Sequence, residues 1–248
     1  RIGEVCAGRG ARCTLELGGK SAAIVRDDFP IEVAAAILGN TITIMSGQVC
    51  AMLSRAIVPR HRHDELADAI AKVMQGIRIG HSDAPDTQLG PVAMKRQLER
   101  VEEYIALGRA SADLVTGGNR PAHMNSGYFI EPTLFANVDN KSRIAQEEIF
   151  GPVLCLIPAD DEEDAIRIAN DSAFGLNGSV LTNDADAAYR IGRRIRAGGF
   201  GQNGMKMEFG LPFGGFKQSG IGREGGVEGL HAYLETKTML LDATPSGF

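Results

Sequence analysis

Short apolar runs alternate with longer amphipathic or apolar stretches along most of this chain, and that alternation limits the fold more than anything else in it. Ala22-Ala23-Ile24-Val25, Arg55 to Pro59, Val153 to Ile157 and Ser179 to Thr182 read as strands. Between them, Ile31 to Met45, His61 to Ile77, Ala93 to Ala110, Asp161 to Ala169 and Asp184 to Arg196 read as helices. His61 to Ile77 sets Leu66, Ala69, Ile70 and Val73 on one face. Strands separated by helices of about ten to seventeen residues predict an α/β architecture with a largely parallel sheet, because parallel neighbours need crossovers of that length.

Arg1 to Arg12 has helical composition but no cap, and it runs into a short strand, Thr14 to Leu17, ended by Gly18-Gly19. Asp113 to Thr116 reads as a strand before the Gly117-Gly118-Asn119 turn, and Tyr128 to Leu134 reads as extended. Glycine is dense from Gly198 to Gly229, where interspersed Phe, Lys and Arg favour an ordered loop over a linker. Thr236 to Leu241 reads as a further strand.

The 248 residues are enough for one large domain or two small ones. A net charge of −5 with no basic run argues against a nucleic-acid surface. The cluster Arg190, Arg193, Arg194 and Arg196 reads as a solvated helix face. Val33 to Ser54 carries no charge, but its Asn, Thr, Ser, Gln and Gly residues favour a buried helix and loop over a membrane span. Cys6, Cys13, Cys50 and Cys155 form no C-x-x-C pair and have no histidines at zinc spacing, so no metal site is expected. With no signal peptide in view, a reduced, cytoplasmic setting is the expectation.

Cys50 ends the small, uncharged run Ser46-Gly47-Gln48-Val49-Cys50, where a sulfur can be presented to a ligand. Glu16 lies thirty-four residues earlier in Leu15-Glu16-Leu17-Gly18-Gly19-Lys20-Ser21. A thiol nucleophile and a carboxylate with open backbone beside it suggest covalent catalysis followed by water activation. Two further segments follow: Glu147-Glu148-Ile149-Phe150-Gly151-Pro152-Val153, and Pro212 to Glu224 (PFGGFKQSGIGRE). In this order, from residue 15 to residue 224, the four motifs resemble the aldehyde dehydrogenase superfamily.

The resemblance implies a three-layer catalytic domain over 17–229. Residues 1–16 would be the end of a cofactor-binding domain, and 230–248 a tail whose strand pairs across subunits in a homodimer or homotetramer. It implies that Cys50 is the nucleophile and Glu16 the base that activates water. Glu148 would accept the hydroxyls of a nicotinamide ribose, with Phe150 packed beside it. Gly18 would leave room for the ring, and Leu17 would meet the amide through its backbone. The cofactor would be NAD or NADP and the substrate a small-molecule aldehyde. Phe213 matches an aromatic near the substrate's approach, and Met205, Met207 and Phe209 are candidates to wall the same tunnel. Glu147 is expected to be solvent-facing or structural and Asn203 structural, and Lys217 and Arg223 in the glycine-rich loop are not expected to be catalytic.

An oxyanion-hole asparagine and the adenosine site lie upstream of these motifs in the family, and only fourteen residues precede Leu15 here. No G-x-G-x-x-G after a strand and no phosphate-binding G-x-x-x-x-G-K-[ST] replaces them. Loss of one oxyanion donor alone costs about 10²–10³ in rate. The chain is therefore expected to be the catalytic part of an NAD(P)-dependent aldehyde dehydrogenase, not competent alone. Two alternatives are a cofactor-independent thiol esterase and a non-catalytic truncated homologue that acts in assembly.

Overall fold

The computed structural model describes residues 1–208 and 210–247. A seven-stranded sheet lies between two helical layers, as the alternation predicts. In chain order the elements are α1 (Ile2–Gly8), β1 (Leu15–Glu16), β2 (Ser21–Val25), α2 (Ile31–Thr41), β3 (Leu53–Pro59), α3 (His63–Gln75), α4 (Lys95–Ser111), β4 (Asp113–Thr116), β5 (Thr133–Ala136) and α5 (Arg143–Gln146). They continue with β6 (Val153–Ala159), α6 (Glu162–Asn170), β7 (Phe174–Gly175), β8 (Gly178–Leu181), α7 (Ala185–Gly192), β9 (Gly201–Gln202), β10 (Phe216–Lys217), β11 (Gly220–Ile221) and α8 (Gly226–His231).

The large sheet runs β4-β5-β6-β3-β2-β8-β9, parallel except for the edge strand β4. Side-chain alternation along the strands builds the two interior layers. Ala22 and Ile24 of β2 join Ile57, Cys155, Ile157 and Val180 in a core covered by α4 to α7. Ala23 and Val25 join Ala56, Val58, Leu154 and Leu156 in a core covered by α2 and α3. Both faces of the central strands are buried, which is why they read as continuous apolar runs. Among the described residues no helix is long and apolar enough to cross a membrane.

Several element ends differ from the sequence expectation. The helix expected to reach Met45 stops at Thr41, because Met45 and Ser46 adopt left-handed conformations (φ 50° and 58°). Such a pair costs about 1–2 kcal/mol per residue; here Ser46 Oγ donates to the carbonyls of Gly90 and Pro91 and holds the turn. The helix expected to reach Arg196 ends at Gly192, where any side chain would strike the Phe200 ring. Tyr128 to Leu134 is mostly loop, with a strand only from Thr133. The strand expected at Thr236 to Leu241 is not formed: those residues carry no ladder, and Met239, Leu240 and Leu241 are exposed. A strand needs a partner edge, and the described residues of this chain supply none there. Helix α6 is capped by Asp161, whose side chain accepts the Asp164 N–H.

Candidate active site

Three of the motifs converge on the amino ends of β2, β3 and β6, and the fourth is paired with the first through β11 and β1. Gly19 and Cys50 lie just before Ser21 and Leu53, which are paired in the sheet, and Glu148 to Gly151 lead directly into Val153. Open parallel sheets commonly bind ligands at the opposite, carboxyl end, so this placement follows from the loops rather than from the architecture.

Glycines set the contacts between motifs. A Cβ on Gly18 would fall 2.0 Å from Glu148 Oε2, and one on Gly19 would fall 2.6 Å from the Cys50 carbonyl oxygen. Gly47 (φ 75°) is pressed against Gly151, where a Cβ would sit 2.1 Å from the carbonyl carbon. Gly220 (φ 150°) faces Glu16 across the antiparallel pair β1–β11, and a Cβ there would meet the Leu15 oxygen at 2.0 Å. At Gly19, Gly47 and Gly220 the approach is to backbone that any larger residue would prevent, and at Gly18 it is to the Glu148 side chain, which a larger residue would push aside.

Cys50 is half-buried on a turn. Burial pushes its thiol up; the N–H groups of Ala51 and Cys50 itself favour the thiolate, while Glu148 and Glu16 oppose it. Glu16 ends β1 with both carboxylate oxygens buried and without a hydrogen-bond partner. Burial raises its carboxyl, Glu224 adds to the rise and Arg223 counters it. A carboxyl held toward its neutral form beside a thiol suits proton transfer at neutral pH.

Glu148 accepts the Gly19 N–H through Oε1 at 3.1 Å. Burial raises its carboxyl, against the pull of that N–H, Lys20 and Arg100. Phe150 is held at φ 61°, strained for an aromatic residue. Helix α4 fixes this loop. Gln97 donates to the carbonyls of Ile149 and Phe150 (3.0 and 2.6 Å), and Arg100 to that of Glu148 (2.6 Å). Glu147 is structural as expected. It binds Arg143 at 2.8 and 3.0 Å and accepts the Tyr104 hydroxyl, which holds its carboxyl down at about 2.

Leu17 is exposed and its N–H donates to the Ser219 carbonyl, leaving its own carbonyl as the backbone group to offer. Phe213 lines a cavity of about 300 Å³ together with Met207. Met205 instead packs on the α2–α3 core, so it does not wall that space. Phe209 lies outside the described residues. Asn203, with φ 59°, accepts the Thr182 N–H, and Lys217 donates to the carbonyls of Asn170 and Ser172. Arg223 donates to the carbonyls of Gly215 and Gly222.

Sequence reasoning overlooked two supports. Arg55 in β3 is 1% exposed and donates to the carbonyls of Lys20, Ile168 and Ala169 and to Asn140 Oδ1, with burial lowering its guanidinium to about 10. A charge inside an apolar strand was the available signal. Lys20 is also buried, its Nζ without a partner, and burial lowers its ammonium. The α4 residues Gln97, Arg100 and Tyr104 left no signal beyond helical spacing.

The residues present fit the nicotinamide-ribose end of a dinucleotide: a half-buried carboxylate acceptor lies against two glycines without side chains. Among the described residues no cluster of metal-ligating side chains occurs.

The sequence profile of the Aldehyde dehydrogenase family matches residues 1–239. Geranial dehydrogenase of Castellaniella defragrans is 44% identical over 240 residues, which cover 97% of this chain and 50% of the relative. The 3-succinoylsemialdehyde-pyridine dehydrogenase of a Pseudomonas species is 42% identical over 231 residues, 92% of this chain and 48% of that protein. A Mycobacterium tuberculosis aldehyde dehydrogenase solved with NAD+ superposes with a TM-score of 0.94 at 46% identity, over 100% of this chain and 51% of that one. An aldehyde dehydrogenase of Pseudomonas syringae, solved with NAD+ and octanal, gives 0.93 at 40% identity, over 95% and 49%. The chain spans about half the length of the curated relatives it matches. With three motifs meeting at one set of strand ends, the fourth paired to the first, and relatives of this kind over nearly all its length, the chain belongs to the aldehyde dehydrogenase family.

Proposed function

We propose that the protein containing this chain oxidises an aldehyde to a carboxylic acid with NAD or NADP. The observation that carries the reading is the pairing of Cys50 with Glu16, whose two carboxylate oxygens are buried and unpartnered beside it. The Cys50 thiolate attacks the aldehyde carbonyl carbon and forms a thiohemiacetal. A bound nicotinamide supplies the acceptor for the hydride that the thiohemiacetal carbon releases, leaving a thioester on Cys50. Glu16 then takes a proton from water as its oxygen attacks the thioester carbonyl; the C–S bond breaks, the acid departs and the thiolate is restored. Glu148 would hold the ribose hydroxyls, with Gly18, the Leu17 carbonyl and Phe150 shaping the ring's surroundings and Phe213 the substrate's approach.

Residues 17–229 form the catalytic domain in this reading, with 1–16 belonging to a cofactor-binding domain. The tail 230–248 would pair with a second copy in a homodimer or homotetramer. Exposed Tyr233, Met239 and Leu240 support that role, since an unpaired apolar segment favours association. Four free cysteines are compatible with a cytoplasmic, reducing setting. Thioester hydrolysis needs no nicotinamide, so cofactor-independent cleavage of activated esters is a second reading of the same pair.

The test is pre-steady-state kinetics of Glu16→Gln in the full-length protein. A burst of NADH or NADPH equal to one per site, followed by turnover slowed by about 10² or more, is expected. Equal loss of burst and steady state would refute the role given to Glu16. Cys50→Ala should abolish both oxidation and ester cleavage.

A further inference from the structure

One buried hydroxyl on α4 grips the peptide that carries Glu148. Tyr104 lies on the buried face of that helix with Leu98, Val101 and Ile105, and is 1% exposed. A phenylalanine would fill the same space, so packing does not require the oxygen. That oxygen uses both of its hydrogen-bonding capacities. It donates to the Glu147 carboxylate and accepts Arg100 Nη2 at 3.2 Å. The same Arg100 nitrogen donates to the Glu148 carbonyl at 2.6 Å. The side chain of one residue and the main chain of the next are thereby tied to a single atom.

These ties are braced at their outer ends. Arg143 begins α5 and Glu147 follows its last residue, and the two side chains are joined at 2.8 and 3.0 Å. The Arg100 and Arg143 guanidiniums lie 4.7 and 5.5 Å from the Tyr104 ring centre, where the aromatic face attracts them. A free arginine side chain samples many rotamers, whereas Arg100 is held by the ring, the hydroxyl and the carbonyl together. Helix α4 is itself a fixed reference. Gln97 holds the Ile149 and Phe150 carbonyls, and a Cβ on Gly151 would fall 2.4 Å from Val101 Cγ2. Out of this frame the Glu148 side chain crosses to the Gly19 N–H.

We propose that Tyr104 is a positioning residue for dinucleotide binding, its hydroxyl fixing the Glu147–Glu148 peptide and so setting where the Glu148 carboxylate is presented. The proposal rests on the reading of Glu148 as the acceptor of the nicotinamide-ribose hydroxyls. Tyr104 acts through Glu148 alone and touches no reacting group. Loss of the hydroxyl releases Arg100 and one side of Glu147. The Glu148 carboxylate then loses its registration against Gly18 and Gly19, where a Cβ on Gly18 would already overlap it.

The experiment titrates NAD and NADP separately, by calorimetry, into the full-length protein and its Tyr104→Phe, Glu148→Ala and doubly substituted forms. Nitrophenyl-ester cleavage is measured alongside. Tyr104→Phe is expected to raise the Kd of the dinucleotide that binds by about tenfold. Ester cleavage at Cys50 should stay within about twofold of the unsubstituted protein. In the Glu148→Ala background the same change should raise Kd no further, because its route is through the missing carboxylate. Should Tyr104→Phe not fold, Arg143→Ala cuts the exposed outer brace and carries the same comparison, with a rise of about threefold expected. An unchanged Kd would overturn the proposal. So would an equal further loss in the Glu148→Ala background, or a parallel fall in ester cleavage, since a residue that serves only the fold gives those results. If Glu148→Ala itself leaves dinucleotide binding unchanged, the ribose reading and this proposal fall together.

Discussion

The Gly19 N–H donates to Glu148 Oε1 at 3.1 Å and joins two loops that are 129 residues apart in sequence. The bond requires the carboxylate to lie against the Gly18 backbone, since a Cβ at Gly18 would overlap Glu148 Oε2. Gly18 and Glu148 therefore act as one unit, and a change at either is felt at the other.

Gly18→Ala should displace the Glu148 carboxylate by more than an ångström. In the full-length protein, kcat/KM for the dinucleotide is expected to fall on the order of a hundredfold, the effect of misplacing a positioning group by that distance. Ester cleavage by Cys50, which does not involve Glu148, should fall much less. Equal loss of both activities would mean that the glycine serves the fold rather than the carboxylate.

Cys50 should titrate above the ordinary thiol value of about 8.5, because burial and the two nearby carboxylates both disfavour its thiolate. Peptide-resolved iodoacetamide labelling, which separates Cys50 from half-exposed Cys6 and Cys13, should accelerate with pH past that value. Glu148→Gln and Glu16→Gln remove negative charge and should each shift the midpoint downward. A wild-type midpoint at or below about 8.5 would contradict the arrangement of charges described here.

Arg55→Met should destabilise the chain by about 3–5 kcal/mol, since buried acceptors that lose a charged donor keep their desolvation cost. The orphaned groups would be the carbonyls of Lys20, Ile168 and Ala169 and Asn140 Oδ1. For a chain of this length that corresponds to a drop in Tm of roughly 10 °C. Arg55→Lys should recover little, because an ammonium lacks the planar fork that reaches four acceptors. A loss under about 1 kcal/mol would show that the guanidinium is not needed to satisfy these four acceptors.

The helix and strand order was legible because strands buried on both faces are continuously apolar and the helices between them show a 3.6-residue period. Boundaries failed where side chains outvoted local preference, as where Ser46 binds Gly90 and Pro91 and turns the chain left-handed ahead of Cys50. The tail residues favour extension, but a strand forms only against a partner edge, and the described residues of this chain offer none there.

Cys50 and Glu16 were readable in one dimension as a thiol and a carboxylate suited to covalent catalysis, and Glu148 and Phe150 became candidates through the resemblance that their motif carries. Their convergence was not readable in that way. It depends on Gly47 and Gly220 allowing backbones to touch, on Gly18 leaving room for the Glu148 carboxylate, and on Gln97, Arg100 and Arg55 reaching from other elements to hold the loops. The sequence alone determined which groups could react and the period of the elements that carry them. Only the tertiary structure decided which groups meet, because close approach and burial arise between segments far apart in the chain, where no local pattern records them.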